Sequence, residues 1–201
     1  MGDIFPELIT EHAHDLSNII AHVLNAAYVE ECWPSIWKLE IVTLIPKKSK
    51  PQALNELRNI SCTPLLSKVM ENFVLDRLKT EVYQRDNHFG GLSGCGTSQY
   101  LIEAWDFIHE ALDNERSAVN LISIDFAKAF NSMSHQACIK ALESSSATTH
   151  MTRLVGSFLM NRQMQFRAGN AVSSKRQLRG GSPQGTLQGN FMFVMTTDKL
   201  E

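Results

Sequence analysis

The sequence predicts an α+β fold, and three kinds of pattern support this class. Several long stretches carry apolar residues at helical spacing, and shorter apolar, β-branched runs between them suit strands. In residues 161–180, two extended stretches joined by Gly169 and Asn170 predict a hairpin. The chain has 201 residues, of which 43% are hydrophobic, and this composition suits a packed globular core.

The first part of the chain predicts one helix and one strand. Residues 6–31 carry apolar side chains near helical spacing between Pro6 and Pro34, which predicts a helix that packs one face. The apolar run 39–45 predicts a strand that ends at Pro46, ahead of a loop rich in lysine.

Two further helices are predicted before the middle of the chain. Thr63 suits an N-cap and Pro64 a first helical position, so a helix should run from there to about Val82. Its core-facing stripe is predicted to comprise Leu65, Leu66, Val69, Phe73, Leu78 and Val82. A helix over about 98–112 is predicted to bury Leu101, Ala104, Trp105, Ile108 and Leu112.

The stretch VNLISIDFAKAFN, from Val119 to Asn131, predicts a buried strand followed by a helical turn. The apolar first half ends on Asp125, at the carboxyl end of the predicted strand. Ligand and catalytic groups tend to gather at such strand ends, so Asp125 is a candidate catalytic acid. The simpler interpretation is that Asp125 caps the turn that follows.

The remaining elements are two helices, the hairpin and a last helix. Helices are predicted over 134–143 and 151–160, and an apolar helix is predicted from Gln184 towards Glu201. The four cysteines lie thirty or more residues apart, so no disulfide partner and no zinc site are expected. The sequence has no apolar run of membrane-spanning length and no basic signal region, which predicts an intracellular, non-secreted protein without a membrane partner.

The net charge of −2 conceals a strong asymmetry. Residues 1–35 contain six acidic side chains and no Lys or Arg, whereas residues 144–197 contain no Asp or Glu. The basic side chains of the second span predict a surface that follows a phosphate backbone, with Arg162, Arg167, Lys175, Arg176 and Arg179 as nucleic-acid-binding residues. The alternative is a solvated face whose counter-charges lie elsewhere in the fold.

Three motifs follow one another along the chain: LRNIS at 57–61, DFAKAFN from Asp125, and GGSPQG at 180–185. In this order and spacing they resemble the fingers and palm of the reverse transcriptases of non-LTR (LINE-type) retrotransposons, from about Trp33 onwards. The resemblance implies a partial right-hand polymerase fold with fingers, an incomplete palm and no thumb. The family's second acidic motif, x-Asp-Asp, is expected beyond Glu201.

The resemblance also implies roles for individual residues. Asp125 would be catalytic and would bind a metal together with the backbone carbonyl of Phe126, and the complete family enzyme uses two Mg²⁺ ions. The implied nucleotide-binding residues are Lys47, Arg58, Phe130, Gln184 and Gly185. The implied partners are an RNA template, a DNA primer and deoxynucleoside triphosphates.

Some of these residues have simpler explanations. The lysines after the first strand suit a solvated turn, and Phe130 suits the core. If the resemblance holds, the Phe130 ring excludes a 2′-hydroxyl and thereby selects deoxynucleotides. Ser182 as a hydrolase nucleophile is disfavoured, because the GxSxG pattern of a nucleophile elbow is absent.

The predicted organisation has five parts. They are an N-terminal helical extension (1–35), fingers (36–118), a palm segment with the first catalytic motif (119–149), a fingers/palm helix and hairpin (150–180) and the start of the palm PQG helix (181–201). The predicted function is that of a fragment of an RNA-directed DNA polymerase, inactive alone for lack of the second acidic motif. The alternative is a non-catalytic retroelement remnant that at most binds nucleic acid.

Overall fold

Residues 6–82, 89–90, 94–114, 118–127 and 129–197 are described in the computed structural model of the chain. Together they form a mixed α/β structure with one small mixed sheet. The α+β class predicted from the sequence is therefore confirmed at this coarser level. Among the described residues, no helix combines the length and the apolar character needed to cross a membrane.

The sheet has five strands: β1 (Leu39–Pro46), β2 (Leu57–Cys62), β3 (Gln163–Ala168), β4 (Ala171–Val172) and β5 (Arg176–Gln177). Strand β1 pairs antiparallel with β2 on one side and parallel with β3 on the other. The short strands β4 and β5 both pair antiparallel with β3. The predicted hairpin is confirmed, and its turn uses Gly169 at φ +59°, a left-handed conformation that glycine adopts without steric cost.

The described helices are α1 (Pro6–Glu11), α2 (Ala13–Val29), α3 (Leu65–Glu81), α4 (Thr97–Asp113), α5 (Ala129–Ser132), α6 (His135–Glu143), α7 (Thr149–Leu159) and α8 (Leu187–Thr197). Each predicted helix is present, although the first is divided at His12 into α1 and α2. The hydroxyl oxygens of Ser134 and Thr148 accept hydrogen bonds from the backbone N–H groups of Ala137 and Met151, three residues further along. They therefore cap the amino ends of α6 and α7. The end of the last predicted helix, residues 198–201, lies outside the described residues.

The core lies where α3, α6, α7 and α8 pack together with Trp33 and Trp37, in the connection between α2 and β1. The inward face of α7 is completely buried and includes Leu154 and Phe158. Trp33, between α2 and β1, packs edge-on against Phe158 with ring centroids 4.9 Å apart, and its indole nitrogen donates to the hydroxyl of Ser67. The connection before β1 is thereby fixed to both α7 and α3.

The predicted stripe of α3 is partly wrong. Phe73 is 68% exposed, and the helix turns a neighbouring face to the core, with Ser67, Met70, Glu71, Val74, Leu75 and Leu78 buried. This buried face includes two polar residues, Ser67 and Glu71, so a prediction from apolar spacing alone selected the wrong face of the helix. Thr63 is not the cap either, because α3 begins after Pro64 without a capping side chain.

Two apolar surfaces predicted to be buried are exposed. Leu101 and Trp105 on α4 are 62% and 63% exposed. Residues 119–124 form no strand, and Ile122 and Ile124 are 82% and 78% exposed. A strand needs a neighbour for its backbone N–H and C=O groups, and none of the described strands pairs with this segment. The prediction that Asp125 ends a buried strand is therefore wrong for the described residues.

We expect Phe158→Ala to lower the free energy of unfolding by about 3–5 kcal/mol, since it removes a buried ring between Trp33 and the rest of the core. The matched control is Phe73→Ala, which should change it by no more than about 0.5 kcal/mol because that ring is exposed. Urea denaturation followed by circular dichroism measures both. Equal losses in the two variants would contradict the assignment of the buried face of α3.

Candidate functional site

A cleft of about 1020 Å³ lies between the β1–β2 end of the sheet and the segment around Asp125. The lining residues come from four separated parts of the chain, which are 44–59, 125–131, 166 and 184. The cleft is lined by six of the seven residues predicted to hold metal or nucleotide: Lys47, Arg58, Asp125, Phe126, Phe130 and Gln184. The seventh, Gly185, directly follows Gln184.

The two adjacent lysines of the loop after β1, Lys47 and Lys48, have different partners. Glu56 accepts from the ammonium of Lys48 at 2.6 Å and from the backbone N–H of Gln52, and these contacts lower the pKa of its carboxyl. The ammonium of Lys47 donates instead to the carbonyl of Asn55 at 3.1 Å. Lys48 is thus neutralised within the loop, while Lys47 brings a positive charge to the cleft.

Arg58 lies beside Lys47 because β1 and β2 pair in register. Ile45 is opposite Arg58, and the backbone N–H of Lys47 donates to the carbonyl of Glu56 at 2.8 Å. Arg58 is exposed, and no described carboxylate lies within ion-pair distance of it. Two cations at one strand end form a site suited to the oxygens of a phosphate chain.

Asp125 lies on the wall of the same cleft and is exposed to solvent. Its carboxylate therefore lines the same cleft as Lys47 and Arg58. Within the described part of the chain, no group of three or more Asp, Glu, His or Cys side chains could hold a metal ion. Asp125 is the one acidic side chain among the described residues that line the cleft, and its oxygens are of the type that Mg²⁺ prefers as ligands.

An aromatic contact ties this segment to α8. The ring of Phe193 lies 5.8 Å from that of Phe126 and 5.6 Å from that of Phe130, centroid to centroid. Phe130 is half-buried by this contact while it also lines the cleft. The core and nucleotide-site interpretations of Phe130 are therefore compatible. Phe193 was missed by the sequence reasoning, because its apolar helix carried no signal beyond packing.

Three hydrogen bonds clamp the GGSPQG segment onto the segment after Asp125. The N–H of Gly181 donates to the carbonyl of Met133 at 2.7 Å, and that of Ser182 to the carbonyl of Phe130 at 2.9 Å. The buried imidazole of His135 donates from Nε2 to the carbonyl of Gly181 at 2.7 Å, which requires Nε2 to carry the hydrogen. His135 was not selected from the sequence, since a lone histidine at a helix start has no distinctive spacing.

Gln184 is held on its other side by the sheet. Its carbonyl accepts from the backbone N–H of Ser61 on β2 at 3.0 Å, which brings the PQG motif beside the strand that carries Arg58. Gly185 adopts φ +104° and lies against the same strand, since a Cβ there would be 3.8 Å from the carbonyl of Ser61. Ser182 is buried, and its hydroxyl has no hydrogen-bond partner among the described residues.

The basic residues predicted to bind nucleic acid fall into two groups. Arg167, Lys175, Arg176 and Arg179 are exposed on the hairpin that includes β3, β4 and β5, and Phe166 of β3 lines the cleft. The prediction for Arg162 is wrong, because that side chain is completely buried. Its Nη1 donates to the carbonyl of Phe158 at 3.2 Å and its guanidinium lies 4.5 Å from the Phe158 ring centroid.

Comparison with known proteins gives the following matches. A family model described as "Reverse transcriptase (RNA-dependent DNA polymerase)" matches residues 45–201. The chain is 28% identical over 186 residues to the "Probable RNA-directed DNA polymerase from transposon BS" of Drosophila melanogaster, which covers 90% of this chain and 20% of that protein.

Two other relatives give similar matches. The identity to the "RNA-directed DNA polymerase from mobile element jockey" of Drosophila melanogaster is 29%, over 89% of this chain and 19% of that protein. The identity to the "Retrovirus-related Pol polyprotein from type-1 retrotransposable element R2" of Popillia japonica is 22%, over 83% of this chain and 24% of that protein. The chain thus spans about a fifth of the length of the curated relatives it matches.

The clamp predicts a large difference between two glycines with positive φ. A Cβ on Gly181 would lie 2.8 Å from the carbonyl oxygen of Phe130, whereas a Cβ on Gly169 would meet nothing within 4 Å. We expect Gly169→Ala to cost about 1 kcal/mol of stability for its left-handed conformation, and Gly181→Ala to cost more than about 3 kcal/mol. Chemical denaturation compares them, and equal costs would contradict the close contact between the two motifs.

Proposed function

The chain belongs to the reverse transcriptase (RNA-dependent DNA polymerase) family, and on that premise we propose that its cleft is the nucleotide site of an RNA-directed DNA polymerase. The parent protein would be that of a non-LTR retrotransposon, and this chain would be a fragment of it. One observation carries the proposal: one cleft is lined by two cations (Lys47 and Arg58), a carboxylate (Asp125), an aromatic ring (Phe130) and Gln184 of the PQG motif.

The chemistry of the cleft suits an incoming deoxynucleoside triphosphate. Lys47 and Arg58 would bind the phosphate oxygens, for which the planar guanidinium of Arg58 offers two parallel donors. Gln184 would contact the nucleotide, and the lack of a side chain at Gly185 would let the backbone approach it. Phe130, supported by Phe193, would lie beneath the sugar and exclude a 2′-hydroxyl.

Asp125 and the carbonyl of Phe126 would hold divalent metal in the parent enzyme. Bound Mg²⁺ would neutralise the charge that develops on the phosphate oxygens during transfer to a primer 3′-hydroxyl. The described residues supply a single carboxylate to the cleft, and a two-metal reaction requires more. We therefore propose that the parent protein contributes the further acidic ligands and that the 201-residue chain alone does not polymerise.

The hairpin would guide nucleic acid towards the cleft. Its four exposed cations, Arg167, Lys175, Arg176 and Arg179, lie in a span that contains no acidic residue. Such a surface attracts a phosphate backbone without reading its sequence. The RNA template and DNA primer are the proposed occupants.

The finer architecture is part of the same proposal. The β1–β2 pair and α3 would belong to the fingers (36–118), and the segment 119–149 to the palm, as in a right-hand polymerase. The helix and hairpin within 150–180 would belong to the fingers and palm, and the PQG helix that starts within 181–201 would belong to the palm. The exposed apolar surface of residues 119–124 suits an incomplete palm, because it presents backbone and side chains that lack a described partner.

A second function is favoured by a specific observation. Among the described residues, one carboxylate lines the cleft, whereas the hairpin has several exposed cations. The chain by itself would then act as a non-catalytic module that binds nucleic acid. The two functions are separated by comparing the isolated chain with the parent protein in the same assay.

We expect Asp125→Asn in the parent protein to reduce Mg²⁺-dependent primer extension by about 1000-fold or more, because it removes a metal-binding charge from the cleft. The matched control is Asp15→Asn on α2, far along the chain and exposed, which should retain full activity. Extension of an RNA-templated DNA primer measures both. Extension by the isolated 201-residue chain, or an active Asp125→Asn variant, would overturn the assignment.

We expect the triple variant Arg167→Ala, Arg176→Ala and Arg179→Ala to bind an RNA–DNA hybrid with a shallower salt dependence. Each lost phosphate contact should reduce the slope of log K against log salt by about 0.7–0.9. Arg77→Ala is the control, since Arg77 pairs with Glu81 on α3 rather than with the hairpin. Fluorescence anisotropy at several salt concentrations measures the slopes. An unchanged slope in the triple variant would show that the hairpin does not contact the phosphate backbone.

A further inference from the structure

Three buried ionisable side chains lie together beneath the cleft. Glu40 on β1 and Glu71 on α3 are each 1% exposed, and Arg162, which joins α7 to β3, is 0% exposed. The guanidinium interacts electrostatically with both carboxylates. Its Nε and Nη2, Oε2 of Glu40 and Oε1 of Glu71 have no hydrogen-bond partner among the described residues.

Glu71 connects this cluster to the helix that follows the PQG motif. Its carboxyl lies close to the backbone N–H groups of Leu187 and Gln188, in the first turn of α8, and these N–H groups oppose the rise of its pKa. These N–H groups have no partner within the helix, and a negative charge at this end is also favoured by the helix dipole. Glu71 therefore helps to hold the start of α8, which begins at Leu187, three residues after Gln184.

Glu40 connects the cluster to the other side of Gln184. Its carboxyl lies close to the hydroxyl of Ser61, which opposes the rise of its pKa, and the backbone N–H of Ser61 donates to the carbonyl of Gln184 at 3.0 Å. Glu40 also borders a small cavity of about 130 Å³, together with Ser182 and Gln184. Gln184 is thus attached to the buried cluster through β2 on one side and through α8 on the other.

We propose that Glu40, Glu71 and Arg162 are positioning residues for Gln184, and that the charge balance of the cluster sets how tightly the cleft holds the incoming nucleotide. The inference rests on the proposed function. None of the three side chains lines the large cleft, so they act through Gln184 rather than on the substrate. Arg162 is the shared partner, since its loss leaves two carboxylates buried without a counter-charge.

The cluster changes its charge near neutral pH. Burial raises the pKa of Glu71 to about 7, although Arg162, the N–H groups of Gln188 and Leu187, and Lys68 on the same helix act in the opposite direction. Burial also raises the pKa of Glu40, against the effect of Arg162. As pH falls through about 7, Glu71 takes up a proton and loses the charge that holds the start of α8.

The first test measures single-nucleotide extension by the parent protein and its Glu71→Gln variant. We expect the KM for the deoxynucleotide to rise roughly tenfold or more, with kcat per active site little changed, because Gln184 is misplaced while Asp125 is not. Asp76→Asn, an exposed acid on the same helix, is the matched control and should behave as wild type. A variant that only loses its active fraction, with KM unchanged, would reduce Glu71 to a structural role.

The pH profile gives a readout that a purely structural role would not move. In the wild-type protein, and in Asp76→Asn, the KM should rise between pH 8 and pH 6 as Glu71 is protonated. In Glu71→Gln the rise in KM between pH 8 and pH 6 should be smaller, because only protonation of Glu40 and of the nucleotide can still contribute to it. Parallel profiles in all three proteins would overturn the proposal.

A second measurement does not depend on catalysis. Hydrogen exchange of the 201-residue chain should be faster in Glu71→Gln than in Asp76→Asn at the amides of Leu187 and Gln188. The decisive amide is that of Ser61, which donates to the carbonyl of Gln184 on the far side of the motif. Unchanged exchange at Ser61 would overturn the proposal, whereas a wild-type parent protein that extends no primer would overturn the proposed function and leave this test intact.

Discussion

The cleft depends on the three hydrogen bonds that clamp the GGSPQG segment onto the segment after Asp125. They join two stretches about fifty residues apart in sequence, and they involve the backbone of Phe130, Met133, Gly181 and Ser182 with one side chain, His135. Because four of the participating residues contribute backbone atoms, the contact requires a precise path of the chain rather than particular side chains. Gly181 is the exception, since only glycine leaves room for the carbonyls that face it.

Local signals in the sequence were sufficient for most elements. The proline before α3, the serine before α6 and the apolar spacing within α7 each depend on neighbouring residues, and the corresponding helices are present. The candidate site was also accessible to sequence reasoning, since six predicted residues line one cleft. The motifs identified these residues, but spacing alone would have left Lys47 a solvated lysine and Phe130 a core residue.

The failures share one physical cause, which is that burial is a property of the fold. Ile122 and Trp105 are apolar and yet exposed, because none of the described elements packs on them. Arg162 and Glu71 are ionisable and yet buried, and the guanidinium interacts electrostatically with the carboxyls of Glu71 and Glu40. No pattern of hydrophobicity distinguishes such an arginine from the exposed arginines of the hairpin a few residues later.

The parallel pairing of β1 with β3 affects how the chain is synthesised. Leu39 pairs with Gln163, so β1 emerges from the ribosome with its hairpin partner β2 long before its other neighbour. Until α7 and β3 follow, β1 has one open edge, and open edges can pair with strands of other nascent chains. Such distant pairings also form slowly, since the intervening loop must close first. The sheet that carries Lys47 and Arg58 is therefore the part of this protein whose folding most depends on the timing of translation.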